Sequence, residues 1–226
     1  IGYEKYTNRI EKRKNLTIHS SDNRHEISRA KLAIDLALQG KQTVIVSSGD
    51  PGIFAMSAAF FETLEKTSKN IQNIEIKVLP GISSMLAASS KVGAPLGHDF
   101  CVINLSDNLK PWKLIQKRII LAIESDLVIV LFNPRSKSRP NTLKNVLKLF
   151  RNYCKEKRFV LFAKSVYTPN EDINICELNK ANHEMADMST LIIIGSSLSR
   201  VVNKNKKFFY TPRSHKSWRI QSVTRF

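Results

Sequence analysis

The sequence predicts an α/β fold of two small α/β domains with mostly parallel sheets. Three observations predict it. Strand-like and helix-like patterns alternate from Arg24 to about Gly195, the order that lays helices against a largely parallel sheet. The 226 residues are 42% hydrophobic and 24% charged, ordinary globular usage that excludes wholesale disorder and a collagen-like repeat. The polar stretch 107–111 interrupts the alternation and serves as a hinge. It divides the chain into an N-terminal domain over 1–107, a C-terminal domain over 108–213 and a basic tail over 214–226.

Each element follows from its pattern. Ile27, Ala30, Ile34 and Leu38 mark one helical face, and Gly40 closes that helix. Thr43 to Val46 reads as a short buried strand, followed by the turn Ser47-Ser48-Gly49-Asp50-Pro51-Gly52. Phe54, Ala58, Phe61 and Leu64 mark the next helical face. Ile74 to Leu79 alternates as a strand and runs into Pro80-Gly81; Ile82 to Lys91 is rich in small residues and helical; Phe100 to Leu105 is a strand. Pro111 fits the first turn of a helix carrying Ile115, Ile119, Ala122 and Ile123 on one face. Leu127 to Phe132 is a continuous apolar strand, broken by Asn133-Pro134-Arg135. Leu143, Val146, Leu147, Phe150 and Cys154 mark another helix. Strands follow at Phe159 to Ala163, Ile173 to Leu178 and Thr190 to Ile194, with a short helix near Lys180 to Met185.

Lys and Arg number 36 against 19 Asp and Glu, a formal net charge of +17. Such a field favours an anionic partner and says nothing about fold. Eight basic residues and no acid lie from Arg200 to Phe226, a run that a solvated surface explains as well as a binding one. No apolar stretch approaches the ~20 residues of a membrane-spanning helix, and the amino end has no secretory pattern. The chain starts at Ile1 rather than Met, as a fragment or a processed product would. Cys101, Cys154 and Cys176 are odd in number, widely spaced and in apolar contexts, which points to free thiols in a reducing, cytoplasmic setting. His19, His25, His98, His183 and His215 form no ligand spacing, and no metal site is expected.

In open α/β sheets ligands bind beyond the carboxyl ends of the strands, so the turns there are the places for chemistry. In Ser48-Gly49-Asp50-Pro51-Gly52-Ile53 the glycines let backbone approach a ligand, and Asp50 suits an ammonium or ribose hydroxyls. A structural turn explains the same residues. Leu79-Pro80-Gly81-Ile82-Ser83-Ser84 places two hydroxyls at a helix start, where simple capping also accounts for them. Asn133-Pro134-Arg135-Ser136-Lys137-Ser138-Arg139 follows a buried strand with three cations. Guanidinium groups bind carboxylates and phosphates bidentately, while a solvated loop has the same composition. Hydrolase, P-loop and dinucleotide-binding motifs are all absent from the sequence. A reaction whose electrophile arrives preactivated on a cofactor needs none of them.

In order along the chain stand S-G-D-P-G-I-F (48–54), L-P-G-I-S-S (79–84), G-A-P-L-G-H-D-F (93–100), L-S-D-N-L-K-P-W (105–112), F-N-P-R-S-K (132–137) and T-P-R (211–213). This series closely resembles the tetrapyrrole methylases, and within them the branch that acts at C-17 in cobalamin biosynthesis. The G-D-P and P-G-I-S turns are shared across the superfamily; the other segments point to that branch. The resemblance spans Ile1 to about Arg213. It implies the class III methyltransferase fold, a homodimer, S-adenosylmethionine as cofactor, and methylation of a precorrin at C-17 with ring contraction.

Carried over residue by residue, the resemblance gives Ser48, Gly49, Asp50, Ile53, Ser83, Ser84 and Asn133 as cofactor contacts. Lys164 and Ser165 fall near a further contact, in a stretch (Ala163-Lys164-Ser165-Val166) that departs from the family's Arg-Asn-Ala-Gly. Asn104 stands where the family usually carries Ser. The family opens with a strand ending in G-x-G-P-G, which should precede Gly2-Tyr3, and the N-terminal domain is expected to lack it. Arg135, Lys137 and Arg139 suit the carboxylates of the macrocycle. His98, Asp99 and Asp107 are the titratable candidates for the proton transfers of ring contraction; a hydrogen-bonded loop residue is the structural alternative for His98. Two other functions fit the charge: RNA methylation on the same fold, and a non-enzymatic nucleic-acid module built on the tail. No aromatic–basic RNA-binding pattern accompanies them.

Overall fold

The computed structural model describes residues 1–214. The chain forms two compact units, Ile1–Ser83 and Ser84–Phe226. The tail residues Lys216, Arg219 and Arg225 lie outside the described residues. Among those described, no helix is long and apolar enough to cross a membrane.

The first unit begins with β1 (Gly2–Tyr3) and α1 (Glu4–Thr7), and β2 (Ser20–Ser21) runs parallel to β1. Helix α2 (Glu26–Leu38) packs on α3 (Met56–Glu65). Gly40, at φ +77, ends α2 in the left-handed conformation that glycine takes without strain. The buried face of α2 is Arg29, Ala30, Ala33 and Ile34, so the predicted stripe holds at Ala30 and Ile34, while Ile27 and Leu38 are exposed. Helix α3 buries Met56 and Thr63 rather than Ala58 and Phe61. The cause lies in α2: the Arg29 guanidinium is buried and donates to Ser21 Oγ (2.9 Å), to the Asp22 carbonyl (3.0 Å) and to Met56 Sδ (3.2 Å).

The predicted strands at 43–46 and 74–79 carry no ladder. Val46 makes an isolated parallel bridge to Gly2. The segment from Glu75 to Leu79 makes no backbone hydrogen bond among the described residues. A cavity of about 1020 Å³ lies between the two segments.

The second unit holds the larger core. Its elements are α4 (Ser84–Val92), β3 (Gly93–Ala94), β4 (Phe100–Asn104), α5 (Trp112–Glu124), β5 (Val128–Phe132), α6 (Thr142–Tyr153), β6 (Phe159–Lys164), β7 (Asp172–Glu177), β8 (Thr190–Ile194), β9 (Arg200–Asn203) and β10 (Lys207–Tyr210). Five strands form a sheet in the order β4-β5-β8-β6-β7, and β3-β10-β9 form a smaller one. Strands β5 and β8 are apolar on both faces because both faces are covered. Helices α5 and α6 bring Ile115, Ile119, Leu143, Leu147 and Phe150 into the core, and α4 packs against β8 and β10.

Two expectations change here. The hinge at 107–111 was expected to end the first domain, but Phe100–Asn104 is paired along its whole length with Val128–Phe132. It therefore belongs with the second unit, and a boundary after 107 would split a sheet. The α/β class holds, but in the five-stranded sheet β4–β5 is parallel and the other three pairs are antiparallel. The basic run after Arg200 also contributes structure: β9 and β10 pair as a hairpin with Phe209 fully buried.

One buried ion pair fastens three segments of this unit. The Arg158 side chain is 3% exposed and donates to Asp126 Oδ1 (2.7 Å), the Gly195 carbonyl (3.1 Å) and the Ile123 carbonyl (3.5 Å). Asp126 also accepts from the Ser197 amide (2.8 Å) and hydroxyl (2.6 Å), and its own backbone is left-handed at φ +52. The three cysteines are free and partly buried, and burial pushes the Cys101 thiol up to about 11.

Candidate active site

In the first unit the structure brings two predicted turns together. Ser48 to Ile53 ends the 43–46 segment, and Leu79 to Ser83 ends the 74–79 segment. Asp50 joins them: Oδ1 accepts from the Gly52 amide (2.8 Å) within its own turn, and Oδ2 accepts from the Gly81 amide (3.1 Å) of the other. A Cβ at Gly81 would lie 2.2 Å from the Gly49 carbonyl oxygen, so only glycine permits this approach. Gly49 itself sits at φ +67. The Asp50 carboxylate thus shapes the turns with both oxygens. Ser48 and Gly49 are exposed, Ile53 is half-buried, and Ser83 is buried while Ser84, opening α4, is exposed.

In the second unit β6 is antiparallel to β8, and β8 to β5, so β4, β5 and β6 point the same way. Their carboxyl ends place Asn104, Asn133, Lys164 and Ser165 along one edge, with the amino end of β8 among them. Neighbouring strands lie about 4.8 Å apart, so Asn133 and Ser165, two strands apart, are roughly 10 Å from each other. Both are left-handed non-glycine residues, at φ +53 and +48. Such strain persists where surrounding structure enforces it, and it clusters at functional sites.

What enforces the strain is visible at each position. Asn133 Nδ2 donates to Asn104 Oδ1 (3.0 Å), which also accepts from the Ser106 amide (2.9 Å). The Ser165 amide donates to the Ser189 carbonyl (3.2 Å). Beyond it, Tyr167 is again left-handed (φ +60). The Tyr167 amide donates to Glu171 Oε2 (2.7 Å), Glu171 Oε1 pairs with Lys91 Nζ (2.8 Å), and Lys91 lies 4.7 Å from the Tyr167 ring centre. The bond to Glu171 raises the Lys91 pKa, and the same bond lowers that of Glu171. Asn104 was singled out in the sequence only as a departure; Tyr167, Lys91 and Glu171 carry no sequence signal, because their pairing crosses from α4 to the turn after β6.

Lys164 is not a free cation. Its ammonium pairs with Asp187 Oδ2 at 2.8 Å, and that bond raises its pKa. Burial works to raise the Asp187 carboxyl, but bonds from Lys164, the Ser189 amide and the Thr190 hydroxyl prevail and hold it below the usual range. Arg139 also departs from the expected cationic patch. Its side chain is 11% exposed, with Nη1 donating to the Leu105 carbonyl (3.1 Å) and Nε 3.5 Å from Asp107 Oδ1. It braces the edge from within. Among the described residues, Arg135 and Lys137 form no ion pair; Arg135 is half-buried and Lys137 exposed.

The three titratable candidates are not together. His98 and Asp99 precede β4, where His98 Nδ1 accepts the Asp99 amide (2.7 Å). Asp107 follows the strand. Five residues at about 3.3 Å each separate the two ends by roughly 16 Å. Asp107 alone of the three stands at the edge that carries Asn104 and Asn133. Among the described residues no cluster of three His, Cys, Asp or Glu could hold a metal ion.

Comparison with known proteins gives this arrangement its context. The sequence profile of the Tetrapyrrole (Corrin/Porphyrin) Methylases matches residues 3–182. The Precorrin-3B C(17)-methyltransferase of Sinorhizobium sp is 42% identical over 214 residues, 94% of this chain and 84% of that protein. The crystal structure of the methyltransferase CobJ superposes with a TM-score of 0.89 at 48% identity, covering 93% of this chain and 87% of that one. The Uroporphyrin-III C-methyl transferase of Thermus thermophilus, solved with S-adenosylhomocysteine, shares the fold at a TM-score of 0.55 and 17% identity, covering 77% of this chain and 74% of its own.

Proposed function

The chain belongs to the tetrapyrrole (corrin/porphyrin) methylases, and from that membership we propose its reaction: transfer of a methyl group from S-adenosylmethionine to C-17 of precorrin-3B, or of the cobalt-containing equivalent, with ring contraction in cobalamin biosynthesis. The observation that carries this reading is the likeness to a C(17)-methyltransferase along nearly the whole chain. RNA methylation and a nucleic-acid module are not favoured, because the relatives named above at 42% and 48% identity are a Precorrin-3B C(17)-methyltransferase and the methyltransferase CobJ.

The residues present fit the cofactor. The turn pair pinned by Asp50 offers close backbone approach where a Cβ at Gly81 would strike Gly49. The edge of the second unit offers neutral hydrogen-bonding groups at Asn133 and Ser165 on backbone already held in place. The resemblance proposes cofactor contacts within each unit by itself: Ser48, Gly49, Asp50, Ile53 and Ser83 in the first, and Ser84, Asn133, Lys164 and Ser165 in the second. Among them, Asp50 and Lys164 act by shaping their turns. When bound, S-adenosylmethionine supplies a methyl group already electrophilic on its sulfonium. The chain's own task is then to hold and orient, which can be worth ~7–11 kcal/mol. Asp107, whose carboxylate lies 3.5 Å from Arg139 Nε, is the candidate we assign to proton transfer there.

Calorimetric titration of the folded protein with S-adenosylhomocysteine tests the reading. Saturable binding is expected, weakened about fivefold in Asn133→Ala through loss of one neutral hydrogen bond, which is worth about 1 kcal/mol. No binding to the folded protein removes the methyltransferase assignment. For the substrate, Arg135→Ala and Lys137→Ala are expected to raise KM for the polycarboxylate several-fold while leaving cofactor affinity unchanged. Unchanged KM in both variants returns that loop to the solvent.

A homodimer in the cytoplasm completes the proposal. Supporting it are an apolar hollow on the second unit, lined in part by Leu86, Leu96 and Phe100, and three unpaired cysteines.

A further inference from the structure

At the edge of the second unit one side chain decides how another can bond. The Ser106 backbone amide donates to the side chain of Asn104 (2.9 Å). A backbone N–H donates and never accepts, so the Asn104 atom that it meets is the oxygen, Oδ1. The same oxygen lies 3.0 Å from the side-chain amide of Asn133. Two carbonyl oxygens form no hydrogen bond, so Asn133 turns its nitrogen, Nδ2, toward Asn104. The orientation of the Asn133 amide is thus set by the Ser106 main chain and transmitted through Asn104.

What Asn133 has left to offer is an acceptor. Its Oδ1 accepts no hydrogen bond among the described residues. The buried side-chain nitrogens and oxygens without a partner are, among those residues, Arg139 Nε and Arg158 Nε. Asn133 Oδ1 is therefore open to solvent or to a ligand. The backbone beneath it is held as well. Asn133 is left-handed at φ +53, and its carbonyl accepts from Arg139 Nη1 (3.4 Å), which also donates to the Leu105 carbonyl (3.1 Å).

We propose that Asn104 is a positioning residue that sets specificity: it holds Asn133 as an acceptor only, so that the ligand group read there is a neutral N–H donor, on the premise that this edge binds the cofactor as assigned above. A hydroxyl calls for no such device, because it rotates to donate or to accept. An ammonium is disfavoured, because the Arg139 guanidinium at the Asn133 carbonyl repels a second cation. On S-adenosylmethionine the group that remains is the exocyclic amine of the adenine, which only donates. A site built to bond such a group rejects the analogue lacking it, because its own polar atom is left unpaired.

Calorimetric titration of the full chain with two ligands of equal charge tests this assignment. They are S-adenosylhomocysteine and S-inosylhomocysteine, in which a carbonyl replaces the amine. The unaltered protein is expected to bind the first at least about tenfold more tightly. Asn104→Leu, of similar size, frees the Asn133 amide to turn its nitrogen to the carbonyl, and the preference is expected to fall to about twofold or less. Asn104→Ser takes its place should the leucine prevent folding. Asn104→Asp keeps acceptors for both the Ser106 amide and Asn133 Nδ2, and is expected to retain the preference even where its added charge changes both affinities. The ratio is the readout because a loosened edge weakens both ligands alike. Failure of either ligand to bind the folded, unaltered protein removes the cofactor assignment and this one with it. Equal binding of the two by the unaltered protein leaves the cofactor assignment standing and overturns the role of Asn104. So does a preference that survives in Asn104→Leu, or in Asn104→Ser where it stands in, and so does one that is lost in Asn104→Asp.

Discussion

Asp126→Ala is expected to lower the unfolding midpoint of the second unit by about 10 °C. The substitution strands the Arg158 guanidinium, 3% exposed, beside two carbonyls that cannot neutralise it. Breaking a buried pair by removing one partner costs about 3–5 kcal/mol. Because the Asp126 side chain is a third exposed, the lower end applies, and in a chain of this size each kcal/mol moves the midpoint by about 2–4 °C. Alanine also tolerates the left-handed backbone at 126 poorly. Asp126→Asn keeps that backbone preference and an acceptor for the Ser197 amide, so it should lose less than half as much. Circular dichroism melts of the two variants decide the matter. Equal midpoints for Asp126→Ala and the unaltered protein would mean that Arg158 finds other neutralisation.

The second large effect is at Gly81. Its added Cβ meets the Gly49 carbonyl at 2.2 Å, and the obstacle is backbone, which cannot swing aside as a side chain does. Gly81→Ala must therefore push the two turns apart and break the Asp50–Gly81 bond. A displacement near 1 Å in a positioning element can cost on the order of 100-fold in rate, and that fall in kcat/KM is expected, with cofactor affinity falling alongside. Gly52→Ala is the matched control, since its Cβ approaches only Asp50 Oδ1 at 3.2 Å. Equal kcat/KM for Gly81→Ala and the unaltered enzyme would show that the turn pair does not hold the cofactor.

Much of this could be read from residue order, and the parts that could not share a physical cause. Strands β5, β6 and β8 are continuous apolar runs between polar breaks, so their bounds fall within a residue of the observed ones. The turns at Asp50, Gly81 and Asn133 announced themselves through glycine, proline and chain reversal. The domain boundary did not, because hydrogen bonding between β4 and β5 joins residues on either side of a polar hinge. Strand direction was hidden for the same reason: an antiparallel β8 inserted between β5 and β6 has the same composition as a parallel one. Arg139 resembled its neighbours Arg135 and Lys137 in sequence, yet carbonyls at 105 and 133 draw it inward. His98 and Asp107 lie nine positions apart but at opposite ends of one strand.

The two units are unequal in their interiors. Of the buried apolar residues, only Ala30, Ala33, Ile34 and Met56 fall in the first unit, while the second holds Phe150, Phe209 and the apolar runs of β5 and β8. Cooperative unfolding requires that one part cannot open without the other losing contacts, and local stability follows buried apolar packing. Differential scanning calorimetry of this chain is therefore expected to resolve two endotherms, the first unit melting at the lower temperature. A van't Hoff enthalpy taken across the whole trace would then fall short of the calorimetric one. Substitutions at Gly81 and at Asp126 would each shift a different peak, so stability in this enzyme is a pair of quantities, and the weaker one governs how long the turns joined by Asp50 and Gly81 stay assembled as temperature rises.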